Sequence, residues 1–374
     1  MAIEIIDLKT GKRKEKEIKT IEWDSRSATK DSYEHFMIKE ILEQPIAIRK
    51  SLSQDKEKLM KMAIGILRSR QVIITACGSS RYAALIGRYL FSKIGGKFCD
   101  VIISSEFGYF KDSIDKNTLV IAVSQSGETA DVLEGLKEAK KNGAEIYSIV
   151  NVVDSTIARM SDEVLYLNCG PEIGVAATKS FLSQIIIFYI LAFAMNNKTD
   201  YAKKQLTNIA ELIENALPYT IEITKKIAKE TKDQNDFFYI GRGINFAVAS
   251  EGALKLKELS YIHAEGMPAG ELKHGTIALI EDKTPVVAIN PDDHTYAETL
   301  SNAEETKARG AVIIGISDNE SEVYDYHIKI EKVSKIFYPI ACVIPEQLLA
   351  YFLAVERGKN PDKPRNLAKS VTVK

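Results

Sequence analysis

Three stretches of this chain carry side chains able to hold and transform a small anion. Residues 123–133 read VSQSGETADVL. Ser124, Gln125, Ser126 and Thr129 crowd around Gly127. They lie between an apolar run, Leu119 to Val123, and a segment with helical spacing, Val132, Leu133, Leu136 and Ala139. Backbone N–H groups, hydroxyls and a glycine at a helix N-terminus suit a phosphate, because unpaired donors and the helix dipole favour negative charge there. By itself such a turn is more often just a helix cap. A second hydroxyl-rich turn, Cys77-Gly78-Ser79-Ser80, follows the apolar run Val72 to Ala76. It would open beside the first at the carboxyl edge of one parallel sheet, where ligands of open α/β sheets bind. Two such turns at one edge are harder to explain as caps. PEIGVAATKS, Pro171 to Ser180, adds another glycine and threonine.

The third stretch is Glu251 to Gly275. Glu251, Lys255 and Glu258 fall at i, i+4 and i+7 and share one helical face. Spacing alone fits a solvated salt-bridge ladder as well as a functional cluster. Leu254, Leu256, Leu259 and Ile262 surround that face, which argues against leaving it in water. GELKHG then places His274 between two glycines on a loop, where a histidine can serve as acid or base.

Nucleotide signatures are absent. No GxxxxGK exists for a triphosphate, and the one GxG, Gly241-Arg242-Gly243, has Phe246 where a dinucleotide loop needs its third glycine. A cradle of hydroxyls without lysine suits the single terminal phosphate of a small molecule.

The elements that must position these residues appear as a repeat. NTLVIAVSQSGETADVLEGLKEAKKNGAEIYSI, Asn117 to Ile149, matches KTPVVAINPDDHTYAETLSNAEETKARGAVIIGI, Lys283 to Ile316. Each reads as a strand, a polar turn, an amphipathic helix, a glycine stop and a second strand, with buried parallel strands. Val72 to Phe91 matches Phe237 to Leu256 more weakly. The fold class is therefore α/β: two doubly wound parallel-sheet domains from a tandem duplication, at 36–215 and 216–358. Helix-prone sequence around 198–232 would join them, residues 1–35 precede them, and a tail at 359–374 follows. The second copy's turn, Asn290-Pro291-Asp292-Asp293-His294-Thr295, carries two carboxylates and a proline, so it would repel a phosphate.

Bulk properties narrow the partners. Lys plus Arg total 50 against 51 Asp plus Glu, which gives no reason to expect nucleic acid. The four cysteines form no CxxC pair, and the reading is buried reduced thiols in a cytoplasmic protein. The five histidines show no ligand spacing, so no metal and no cofactor is expected. The apolar stretch Phe181 to Met195 contains Ser183 and Gln184 and falls short of the roughly 20 residues of a membrane span, so it reads as a core helix with no membrane partner. The N-terminus alternates apolar and charged residues around Thr10-Gly11, as a strand, a turn and a linker would, and lacks the apolar core of a signal peptide.

Taken together, HFMIKEILEQP (His35 to Pro45), ACGSS, SQSGETAD, EIGVAATKSF, EGALKLKELSYIHAEGMPAGELKHG (Glu251 to Gly275) and PRNLAKSVTV (Pro364 to Val373) carry a family resemblance. They resemble the sugar isomerase (SIS) domain, and beyond it the isomerase half of the glutamine–fructose-6-phosphate aminotransferase family, from about residue 20 to the end of the chain. The resemblance implies conversion of fructose 6-phosphate and ammonia to glucosamine 6-phosphate. It also implies a homodimer in which the histidine-bearing loop serves the neighbouring subunit, and a C-terminal tail that closes the site.

By position, Glu258 matches the family's proton-transfer base, His274 its ring-opening group, and Lys369 the lysine that forms a Schiff base with the ketose carbonyl. Such a lysine attacks as the neutral amine. Ser79, Ser80, Ser124, Gln125, Ser126 and Thr129 match its sugar and phosphate contacts; Glu172, Val175, Lys255 and Ala368 match further positions around the site. Ser79 stands where threonine is usual, Arg81 where an aromatic residue is, and Met267-Pro268 in a normally Ala-rich turn. The segment before Trp23 resembles the last strand of that family's glutaminase domain; no cysteine precedes Cys77 to attack glutamine. A stand-alone glucosamine-6-phosphate deaminase of the same fold is an alternative. A phosphosugar sensor, which would need the phosphate loops but neither Glu258 nor Lys369, is another.

Overall fold

The computed structural model describes residues 4–15 and 29–373. Three helices open the first half: α1 (Phe36–Leu42), α2 (Gln44–Ser51) and α3 (Lys56–Arg68). Strands and helices then alternate: β1 (Gln71–Ala76), α4 (Gly78–Lys93), β2 (Asp100–Ile103), β3 (Thr118–Ser124), α5 (Ala130–Lys141), β4 (Glu145–Val150), α6 (Thr156–Met160) and β5 (Glu163–Tyr166). Two helices follow, α7 (Lys179–Ala194) and α8 (Thr199–Thr231). The second half contains β6 (Asp236–Gly241), α9 (Ile244–Ser260), β7 (His263–Pro268), β8 (Pro285–Ile289), α10 (Tyr296–Lys307), β9 (Val312–Ser317), β10 (Tyr326–Lys329) and α11 (Tyr338–Glu356).

The strand orders are β2-β1-β3-β4-β5 and β10-β9-β8-β6-β7, the same order once the second is read in reverse. Strands pair in parallel throughout both sheets. Because helices cover both faces, the central strands are apolar at nearly every position; β3 is buried along its whole length. The duplication seen in the sequence is thus present in the topology, with β1 corresponding to β6 and β3 to β8.

The two sheets share one core. Every residue of α7 is buried, which explains why that helix is apolar all round rather than striped. α8 runs unbroken for 33 residues, through Pro218, so the 215/216 division falls inside one helix. The segment Lys335–Glu356 is long and apolar enough to cross a membrane by length and composition, yet 89% of its apolar window is buried in the protein. It is a core helix and carries a buried Glu346. At the N-terminus Ile6 bridges Arg13 in antiparallel fashion, as the strand-and-turn reading expects. The linker with Trp23 lies outside the described residues.

The tail returns to the first half. His35 does not cap α1 with its side chain. Instead the Asp362 carboxylate accepts the N–H groups of Phe36 and Met37, both at 2.9 Å. A residue more than 300 positions away supplies the cap.

The turns after β1 and β6 need the same backbone. Gly78 (φ 54) and Gly243 (φ 56) hold equivalent left-handed positions, which glycine adopts without a Cβ penalty. Beyond them the halves diverge. In the second, buried Asp293 accepts the Thr295 N–H and hydroxyl at 2.7 Å each, and Asn245 Nδ2 at 2.9 Å. That carboxylate occupies the start of α10 as an external anion would. The expected repulsion of phosphate therefore has a concrete form: the second crevice contains its own anion. Asp293→Ala would remove the acceptor of the buried Thr295 N–H and hydroxyl, and a loss of about 2–3 kcal/mol is expected. Calorimetry should show a Tm several degrees lower; an unchanged Tm would mean that the carboxylate does not hold the turn.

Candidate active site

The first half leaves the corresponding crevice open. The N–H groups of Gly78, Ser79 and Ser80 form the first turn of α4 and have no partner within the helix. Ser80 Oγ is fixed by Gln184 Nε2 of buried α7, at 2.9 Å. Across the crevice, Ser124 Oγ accepts the Gly127 N–H at 3.1 Å and lies 3.0 Å from Thr129 Oγ1, while Ser126 Oγ accepts the Glu128 N–H at 3.2 Å. Gly127 (φ 65) tolerates no side chain, since a Cβ there would fall 2.0 Å from Ser155 Oγ. Glu128 turns away and accepts the Thr156 N–H at 2.7 Å, tying the loop to α6. The two hydroxyl turns therefore face one cleft between β1 and β3, the switch point of the sheet.

That cleft encloses about 240 Å³. Its walls include Ser79, Ser80, Ser124, Gln125, Ser126 and Thr129 from the first half, Lys255 and Glu258 from α9, and Val175, Ala368 and Lys369. Both halves and the tail thus meet in it.

The charged face of α9 is buried, not a solvated ladder. Glu251 and Lys255 are fully buried; Lys255 and Glu258, the latter with 22% of its side chain exposed, line the cleft. Lys255 Nζ lies 2.5 Å from Glu258 Oε2 and 3.5 Å from Glu251 Oε1. Burial is the largest influence on Glu251 and pushes its carboxyl up to about 8, against the pull of the Lys255 ammonium and with the repulsion of Glu258. Burial opposes the charge on Lys255, but the two carboxylates outweigh it and hold the ammonium above its ordinary value.

Lys369 is parked beside the cleft. Its Nζ donates to Glu172 Oε2 at 2.6 Å and to the Gly174 carbonyl at 2.8 Å. Burial opposes ionisation of Glu172, yet Lys369 and the hydroxyl and N–H of Ser180 hold its carboxyl well below the usual range. Glu172 is therefore the anchor of Lys369 rather than a wall of the cleft. Glu40 of α1 accepts the N–H groups of Ile173 at 2.5 Å and Gly174 at 3.3 Å, so it shapes the turn that anchors Lys369. Burial, then the charge of Glu172, pushes Glu40 up to about 7. The next residues cover the Ser124–Thr129 turn: Ser370 donates to Ser126 Oγ at 3.1 Å, and the Val371 carbonyl accepts the Ala130 N–H at 3.0 Å.

His274 does not join them within one chain. It is exposed at the end of a short 3-10 turn, Ala269–His274, and does not line the cleft. Sequence reasoning missed Glu40, Gln184, Ser370 and Glu346. Ser370 adjoins Lys369 and could have been read with it. Glu346 had a signal of its own, a lone carboxyl within the apolar run of α11. Among the described residues no three His, Cys, Asp or Glu side chains cluster as metal ligands.

A duplicated open parallel sheet with a hydroxyl-lined crevice at its switch point is the architecture of an SIS protein. The SIS domain family matches residues 65–194 and 231–357, one region for each sheet, and the chain belongs to that family. More particularly, it is similar to glutamine–fructose-6-phosphate aminotransferases. It is 50% identical, over 97% of its length, to the Thermococcus kodakarensis protein of that name, and 46% identical, over 99%, to that of Pyrococcus horikoshii. The chain spans 62% and 63% of these relatives' lengths. The solved C-terminal domain of glucosamine-fructose-6-phosphate aminotransferase from Francisella tularensis superposes with a TM-score of 0.83 at 35% identity, covering 90% of this chain and 100% of that one.

The buried carboxyl predicts a pH dependence. Folded Glu251 keeps its proton up to about pH 8, while the unfolded chain releases it near the ordinary 4.5. Stability from this group is complete below that lower value and is lost as pH rises through 8. Glu251→Gln removes the loss. Relative to the parent, the variant should gain on the order of a few kcal/mol between about pH 5 and pH 8. Urea denaturation at both pH values measures this; a difference independent of pH would contradict it.

Proposed function

We propose that this chain is the isomerase module of a glutamine–fructose-6-phosphate aminotransferase, converting fructose 6-phosphate and ammonia to glucosamine 6-phosphate. One observation carries the reading: a lysine-free anion cradle, the Glu258 carboxylate and the Lys369 amine share a single cleft. The names of the similar proteins support it.

In this reading the substrate phosphate docks on the Ser124–Thr129 turn and the start of α4, and its far end reaches α9. Glu258 takes a proton from one carbon of the reacting pair and returns it to the neighbour. The buried Lys255 ammonium, 2.5 Å from Glu258, offsets the negative charge that develops on the enolate-like intermediate. Lys369 leaves Glu172, gives up its proton, and adds to the ketose carbonyl with loss of water. Ammonia then supplies the amino group, delivered in the complete enzyme by a glutaminase domain N-terminal to this module. His274 opens the sugar ring in the site of a second copy, making the working unit a homodimer. The protein acts in the cytoplasm, in keeping with four free cysteines.

Glu258→Gln should lower conversion of fructose 6-phosphate to glucose 6-phosphate at least about 100-fold while sugar-phosphate binding persists. A coupled dehydrogenase assay and calorimetry measure the two; full turnover would end the assignment. The shared site has its own test. His274→Ala and Glu258→Gln homodimers should both be inactive, but mixing them by refolding should restore about a quarter of parental activity, from the one intact site in each mixed dimer. No recovery would place His274 outside the neighbour's site.

A further inference from the structure

We infer that Tyr261 is a positioning residue for the Lys369 amine: it clasps the C-terminal tail to the end of the helix that bears Glu258. The inference rests on the reading that Lys369 meets the ketose carbonyl.

α9 ends on Tyr261 in the left-handed conformation, φ 63 and ψ 20. An L side chain adopts it at a cost that glycine escapes, and glycine is the usual residue at such helix ends. Here the side chain is used. Tyr261 Oη accepts the Arg365 N–H at 2.7 Å. The Arg365 guanidinium lies 4.2 Å from the ring centroid, and the Lys359 ammonium approaches the same ring at 5.8 Å. Both fall within cation–π range, roughly 6 Å. The left-handed turn points the ring toward the tail, where two cations and a backbone donor converge on it.

Geometry links this clasp to Lys369. Arg365 precedes Lys369 by four residues, which span at most about 14 Å of extended chain. Tyr261 follows Glu258 by three residues, a helical rise of about 4.5 Å. The clasp therefore ties the amine to the neighbourhood of the base. Without it, the next upstream hydrogen-bonded anchor is Asp362 at the start of α1. Seven residues would then separate anchor and amine, a reach of about 25 Å. Downstream, Ser370 on Ser126 and Val371 on Ala130 hold the C-terminal side of Lys369, while its own bond to Glu172 must break for it to react; Tyr261 fixes the N-terminal side. Tyr261 does not line the cleft and acts through the tail alone.

The test compares Tyr261→Gly and Tyr261→Phe with the parent chain. Glycine suits the left-handed position, so Tyr261→Gly should keep its Tm within about 2 °C, which separates positioning from folding. Each protein is incubated with fructose 6-phosphate and sodium borohydride. The Lys369 amine adds to C2, water leaves as the C=N bond forms, and borohydride delivers hydride to that carbon, fixing a secondary amine that mass spectrometry quantifies at Lys369. Labelling should slow about tenfold in Tyr261→Gly, equivalent to about 1.4 kcal/mol, with fructose 6-phosphate affinity changed less than about threefold. Tyr261→Phe, which keeps the ring, should recover part of the rate. Labelling of Tyr261→Gly at the parental rate overturns the role of Tyr261 alone. An unlabelled parent overturns the role of Lys369 and this inference with it.

Discussion

The unpaired N–H groups at the beginnings of two helices govern the design of both halves. A parallel open sheet directs α4 and α5 to start side by side at the β1–β3 switch point, and α9 and α10 do the same beyond β6 and β8. The first turn of a helix presents donors that it cannot satisfy itself, so something negative or carbonyl-like must meet them. In the second half the Asp293 carboxylate accepts the Thr295 N–H at the N-cap of α10. In the first half the loop hydroxyls organise the turn, and the Val371 carbonyl takes only one donor, the Ala130 N–H. On the same fold, the two halves differ in whether the chain provides a buried carboxylate as its own acceptor at this turn.

The buried charges on α9 follow from where that helix runs. It packs between α4 of the first half and α11 of its own, so its polar face has no water to turn toward. A lone buried ammonium would be costly, and Lys255 is held between Glu258 and Glu251. Glu251 is the weaker partner at 3.5 Å, and burial keeps its proton on. The face toward the cleft therefore presents a near-balanced Lys255–Glu258 ion pair.

Much of this was legible in the sequence, and the reasons for the exceptions are physical. The hydroxyl turns, the glycines and the strand–helix periodicity are local patterns, each carried by residues close together in the chain. The three charges of α9 were legible as a single face, but spacing could not distinguish a solvated face from a buried one. That depends on α4 and α11, far away along the chain. Glu40, Gln184 and Asp362 were hidden for the same reason, since their partners lie 104 to 326 positions away. α8 was legible as helix-prone sequence, but not as one helix shared by both halves. The roles of Glu258, His274 and Lys369 came from the family resemblance rather than from any pattern that chemistry alone would single out.

The unbroken α8 has a mechanical consequence. A stiff rod common to both sheets, with α7 enclosed on every side beside it, leaves no seam along which the halves could swing apart without exposing apolar surface. Entry to and exit from a cleft walled by both halves cannot then be achieved by a clamshell motion. The segment after α11 is held by a few polar contacts, so it is the part of the cleft wall whose release would leave both packed cores intact.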